Sequence, residues 1–227
     1  MKNDSLSARR RRLLRGLILA PLLAPRLRAF AADGDMHDHE HMHEHMHDHD
    51  HHHMAMTDEV KRSEAAYVVP PLTLVRQDGV AVAFPQAIDD GRPVFLNFIY
   101  TSCTAICPTS SQVFSTLQGN LAAAHGKAHL LSISIDPEYD TPARLAQYAK
   151  QYGAGANWQF FTGTQADSVA MQTAFAAYRG DKMNHAPVTF FRAAPGKSWL
   201  RFDGFVAAEE LLAEYRTRMH GASGKMA

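Results

Sequence analysis

The chain has 227 residues, 46% of them apolar, with 23 basic and 23 acidic side chains, 14 His and only 2 Cys. At roughly 100–200 residues per domain this length holds one domain with tails or two small ones, and a core of that size needs no disulfide framework. Collagen-like, disordered and multi-span membrane classes are excluded, and a formal net charge of zero argues against a nucleic-acid partner if the charge is evenly spread.

The charge is not evenly spread. Residues 1–31 carry eight basic groups against the single acid Asp4, a net of +7, and the rest of the chain, with 15 basic and 22 acidic groups, stands at −7. A basic start, an apolar run from Gly16 to Pro25 and the small-residue pattern Ala29-Phe30-Ala31 read as an export signal. The run is ten residues long, too short to span a bilayer. Arg10-Arg11-Arg12-Leu13-Leu14-Arg15 resembles the twin-arginine consensus, which implies export of an already folded protein. The expected product is a periplasmic or otherwise exported protein cleaved near Ala31. An ordinary secretory leader and an uncleaved signal that tethers the chain to the membrane are the alternatives.

Between Met36 and Met56 the chain has ten His and five Met interleaved with Asp38, Glu40, Glu44, Asp48 and Asp50. Without aliphatic residues such a stretch cannot offset the entropy of ordering, so residues 32–67 read as a disordered tail and linker. Imidazole suits Cu, Zn and Ni, whereas thioether selects Cu(I), so the mixture points to copper more than to zinc. The auxiliary ligands are then His37, His39, His41, His43, His45, His47, His49, His51, His52 and His53. An expression tag and a metal-indifferent polar linker are the plain readings of the same residues.

Residues 68–220 read as one domain and 221–227 as a disordered C-terminus. Leu72–Arg76 and Val80–Phe84 flank Gln77-Asp78-Gly79, an N-terminal hairpin with its turn at Asp-Gly. Val94–Tyr100 is a short apolar run of the buried parallel-strand type. Cys107-Pro108 opens a helix reaching about His125, with Val113, Leu117 and Leu121 recurring every fourth residue. Leu130–Ile135 is a second buried strand, and Thr141-Pro142 caps and starts a helix that stops at Gly153. Trp158–Phe161 is a third strand and Thr164–Tyr178 a helix. Pro187–Arg192 pairs with Trp199–Phe202 as a hairpin, and Val206–Met219 closes the chain as an amphipathic helix. Alternating β and α with a terminal antiparallel hairpin predicts an α/β domain, a mixed central sheet flanked by helices.

Cys103 and Cys107 stand four apart where a buried strand ends and a helix begins, the place where open α/β sheets build their sites. The partial positive charge of a helix N-terminus favours thiolate, so the thiol pKa is expected to fall. If the first turn includes Cys103, the spacing puts both sulfurs on one face. They are then a redox-active pair able to close a disulfide, or two ligands for one soft ion such as Cu(I). A purely structural disulfide is the bland alternative, and it would close too small a loop to constrain the unfolded chain much. A structural zinc site wants four ligands. A trigonal copper site needs a third ligand, and outside the tail His125, His129, His185 and His220 are available. His125, His129 and His220 read as surface residues, and His185, just before a strand, reads either as an ordinary loop residue or as a ligand whose loop faces the dithiol.

Three motifs in order carry a family resemblance. They are Phe98-Ile99-Tyr100-Thr101-Ser102-Cys103-Thr104-Ala105-Ile106-Cys107-Pro108, then Ser134-Ile135-Asp136-Pro137-Glu138-Tyr139-Asp140-Thr141-Pro142, then the lone His185 ahead of a strand. Together they resemble the SCO/SenC family from about Val68 to Met219, with a specificity that none has alone. The resemblance implies a thioredoxin-like fold and a copper chaperone of the cell envelope whose ligands fall on Cys103, Cys107 and His185. Asp136 falls close to that site, as a supporting carboxylate or as a cap in the loop. Ala186-Pro187-Val188-Thr189 resembles the thioredoxin Pro-Thr signature, in which the proline is cis. The family implies delivery to the copper site of cytochrome c oxidase subunit II or to another copper-receiving protein. A thiol-disulfide oxidoreductase served by a thioredoxin-like reductant, with Cys103 attacking and Cys107 resolving, is the enzymatic alternative. A copper sink for tolerance, for which the tail is essential, is a third.

Overall fold

The structure is a computed structural model that describes residues 59–223. The leader and the His/Met stretch, on which the export and tail-ligand expectations rest, lie outside the described residues. In chain order the elements are β1 (Lys61–Ala65), β2 (Thr73–Arg76), β3 (Ala81–Ala83), α1 (Phe84–Ile88), β4 (Val94–Ile99), α2 (Ile106–Ala123), β5 (His129–Ser134), α3 (Pro142–Gln151), β6 (Trp158–Thr162), α4 (Gln165–Ala174), β7 (Val188–Arg192), β8 (Trp199–Asp203) and α5 (Ala208–Ser223). A short 3-10 turn, Lys182–Asn184, precedes β7.

All eight strands join one sheet in the order β1-β8-β7-β4-β5-β6-β2-β3. β4, β5 and β6 run parallel, and the flanking strands pair antiparallel. Every residue of β4 and β5 is buried, which is why their sequences read as near-continuous apolar runs rather than alternations. Two polar residues interrupt them for a reason. Ser132 of β5 donates to Asn97 Oδ1 of β4 at 2.8 Å, and Trp158 Nε1 of β6 donates to Ser132 Oγ at 3.0 Å. A one-residue slip would break this buried chain of hydrogen bonds and leave its polar groups unpaired in the core. On one side of the sheet Phe175 packs edge-on against Phe190 and Trp199, with centroids 4.9 and 5.1 Å apart, so the end of α4 is fastened to β7 and β8.

Most expected elements form near their expected bounds. Gly79, at φ +83, makes the β2–β3 turn, and Gly153, at φ +66, follows α3 where the stop was expected. Thr141 caps α3, its hydroxyl accepting from Arg144 N, with Pro142 at the first helical position. α4 is shorter than the Thr164–Tyr178 expected, because Ala176 takes φ +51, left-handed backbone that ends the helix.

The boundaries at both ends need correction. β1 lies inside the stretch assigned to the linker, so the ordered domain begins by Lys61 rather than Val68. Lys-Arg-Ser-Glu-Ala is almost wholly exposed and has no apolar alternation to reveal it. Its order comes from pairing with β8 and from Arg62–Glu214 and Arg218–Glu64 ion pairs to α5. At the other end α5 runs to Ser223, past the expected edge of the domain at 220. The short helix α1, which buries Phe84 and Ile88, was too brief to show a period.

Candidate functional site

β4 ends at Ile99 and α2 begins at Ile106, so Cys103 lies in the connecting turn and Cys107 in the first helical turn. Cys103 is therefore not helical, and the two sulfurs meet by capping rather than by sharing a helix face. Ala105, the cap residue of α2, has no side-chain acceptor for the free N–H groups of the first turn. The Cys103 sulfur supplies one, accepting from Cys107 N at 3.4 Å. Cys107 Sγ accepts in turn from Tyr100 N at 3.5 Å, and Cys103 N donates to Tyr100 O at 3.1 Å. Both cysteines are free thiols, and both are buried.

Their chemistry is unequal. Burial pushes the Cys103 thiol pKa up, but the Cys107 and Ala105 N–H groups and the Cys107 and Tyr100 side chains outweigh it, so the net shift is down. Cys107 lies deeper, and burial, which the Tyr100 N–H does not offset, pushes its thiol well above the ordinary value. Tyr100, desolvated and hydrogen-bonded to Cys103, is raised to about 12 and stays a neutral donor.

The second motif divides into two roles that its sequence did not separate. Asp136 Oδ2 accepts from Lys182 Nζ at 2.5 Å, which ties the 3-10 turn before His185 to the loop after β5. Asp140, which the sequence reading passed over, is fully buried and serves the cysteine turn. Its carboxylate accepts from Thr101 N at 3.1 Å, Thr101 Oγ1 at 2.5 Å and Ser134 Oγ at 2.6 Å. Burial outweighs these bonds and holds its pKa above the usual value. The one available signal was its place directly before the α3 cap, and nothing in the sequence says which of the motif's acids turns inward.

His185 is half-buried at the end of the 3-10 turn, with Nε2 3.0 Å from the carbonyl of Phe98 on β4. Burial, with a smaller push from Arg179, lowers its pKa past the raising effect of that bond, so the ring is neutral at pH 7. A neutral imidazole bonded to a carbonyl carries its proton on Nε2, leaving the Nδ1 lone pair free. The ring is thus fastened to β4 main chain. Among the described residues, no three His, Cys, Asp and Glu side chains form a group ready to hold a metal ion. Of the other histidines, His125 is exposed, as expected. His129 is not a surface residue: it is buried at the start of β5, with Nε2 2.8 Å from Asp90. No helix among the described residues is long and apolar enough to cross a membrane.

The SCO1/SenC family model matches residues 60–220. A SCO1 protein homolog of Bacillus subtilis (strain 168) is 36% identical over 98 residues, which is 43% of this chain and 50% of that relative's length. The chain therefore spans about half of the curated relative it matches. Among solved structures, BsSco, studied for its disulfide switch and described as a member of the Sco family of cytochrome c oxidase assembly proteins, superposes with TM-score 0.60 at 25% identity. That match covers 70% of this chain and 96% of BsSco. The copper-bound ScoI of Bradyrhizobium japonicum superposes with TM-score 0.56 at 24% identity, covering 66% of this chain and 99% of its own. The family match over residues 60–220, together with the mixed sheet that superposes on BsSco, shows that the fold is thioredoxin-like and that the chain belongs to the SCO1/SenC family.

Proposed function

We propose that this chain is a copper chaperone that binds one copper ion through Cys103, Cys107 and His185 and delivers it for cytochrome c oxidase assembly. The observation that carries this reading is the pair of free thiols joined through Cys107 N–H at the start of α2. Two sulfur ligands and a neutral imidazole suit Cu(I). His185 bonds to Phe98, close before Tyr100, so its loop belongs to the same end of the sheet, and a turn of the ring would bring Nδ1 into play. Loading requires both thiols to lose their protons, so copper affinity rises with pH and is lost on oxidation to a disulfide. The leader directs the protein to the cell envelope, and the ten tail histidines bind copper on the same chain as the dithiol, raising its local concentration by tethering.

The test is an anaerobic Cu(I) titration of the full reduced chain beside Cys103→Ser. Loss of the dithiol-dependent equivalent in Cys103→Ser is expected, whereas full retention by the variant overturns the site and leaves the tail as a copper sink.

The unequal thiols favour a second reading, reduction of a partner's disulfide. The Cys103 thiolate would attack one sulfur of the partner, forming a mixed disulfide and releasing one partner thiol. Cys107, on losing its proton, would then attack Cys103, releasing the second partner thiol and leaving a Cys103–Cys107 disulfide for a thioredoxin-like reductant to reopen. Turnover of a disulfide substrate by the metal-free chain separates this activity from copper delivery.

A further inference from the structure

Met183 is 74% exposed on the 3-10 turn, two residues before His185, although a long apolar side chain has no packing reason to be there. Its Sδ lies 3.8 Å from the Tyr100 hydroxyl, and the main chain of Tyr100 is bonded to both cysteines, its N–H to Cys107 Sγ at 3.5 Å and its carbonyl to Cys103 N at 3.1 Å. One residue, Tyr100, thus touches the exposed thioether with its hydroxyl and the dithiol turn with its main chain.

The turn that presents Met183 is held at three points. Asp181 Oδ1 accepts from Met183 N at 2.8 Å, Lys182 Nζ donates to Asp136, and the His185 ring bonds to Phe98 O. The backbone is fixed while the thioether faces solvent. A thioether is a soft, neutral ligand that selects Cu(I) and carries no charge that would hold the ion as a thiolate does. Such a group suits the moment of exchange rather than the resting site.

We propose that Met183 is the ligand through which Cu(I) enters and leaves the dithiol. The inference rests on the copper reading above and adds a residue outside the Cys and His set. Copper stays Cu(I) throughout: a bond to Met183 sulfur forms as a bond to the donor's ligand breaks on entry, or to a thiolate on exit. The thiol protons released on loading go to solvent.

The test loads the full reduced chain with Cu(I) anaerobically and follows release to bicinchoninate by absorbance in the native protein, Met183→Leu and Met183→His. Parallel runs on Cys103→Ser give the copper held outside the dithiol. Met183→Leu is expected to keep its dithiol-dependent copper and release it about tenfold more slowly. Met183→His, which restores a neutral copper ligand, should recover the rate, as a merely structural role would not. Release from Met183→Leu at the native rate overturns the inference and leaves the copper site standing. A native protein with no dithiol-dependent copper overturns the site and this inference with it.

Discussion

Cys103 and Cys107 share one turn of chain, yet their surroundings drive their pKa values apart. Cys103 accepts the Cys107 N–H at the open end of α2, whereas Cys107 is desolvated beneath it. In the fully reduced chain, iodoacetamide should therefore modify Cys103 first, with a rate that rises at pH values below the ordinary thiol pKa of about 8.5. Cys107 should react only after unfolding. Peptide mapping by mass spectrometry at several pH values checks this, and equal rates for the two thiols would refute the asymmetry. The sequence revealed the pair and its position before a helix. It did not reveal their order of reactivity, because that depends on which sulfur caps α2 and which one the core covers.

At the level of elements, the site is a junction of three loop segments. The first runs from the end of β4 into α2 and carries Cys103 and then Cys107, the loop after β5 carries Asp136 and Asp140, and the turn before β7 carries His185 and Met183. Asp140 joins the first two through Thr101 and Ser134, and Asp136 joins the second to the third through Lys182. Asp140→Ala leaves the Thr101 and Ser134 donors without their shared acceptor in a buried position, which should cost about 3 kcal/mol of stability. Urea unfolding of the reduced protein measures it, and a change under about 0.5 kcal/mol, the usual surface value, would show that Asp140 does not hold the turn. The central strands and long helices were readable because burial writes an apolar run into the first and a period into the second. β1 and α1 were not, since one is ordered by main-chain pairing and ion pairs and the other is a single short turn.

For the domain as a whole, alkaline pH is the weak side. Cys107 and Tyr148 are both buried and both have raised pKa values, so the folded state keeps protons that the unfolded chain gives up. Their contribution is intact below the unfolded pKa and declines as pH rises above it. Cys107 thus weakens the fold from about pH 8.5, and Tyr148 from about pH 10, each by at most about 1.4 kcal/mol per pH unit. Cys103, with a lowered pKa, acts oppositely, adding stability that is lost as pH falls through its folded value. Unfolding midpoints of the reduced protein at pH 8 and pH 10 should show the decline, and Cys107→Ser should flatten it. An unchanged midpoint in the native protein would contradict the burial argument.

The sequence by itself determined the alternation of strands and helices, the buried strands at the centre of a mixed sheet, the dithiol at a strand-to-helix junction and the family motifs in their order. Each of these is written in local spacing or in the chemistry of single residues. Only the tertiary structure decided that Asp140 rather than Asp136 supports the cysteine turn, that His129 is buried, that β1 completes the sheet and that Met183 stands beside Tyr100. These depend on which distant segments meet, and a side chain's partner across tens of residues leaves no period in the chain to read.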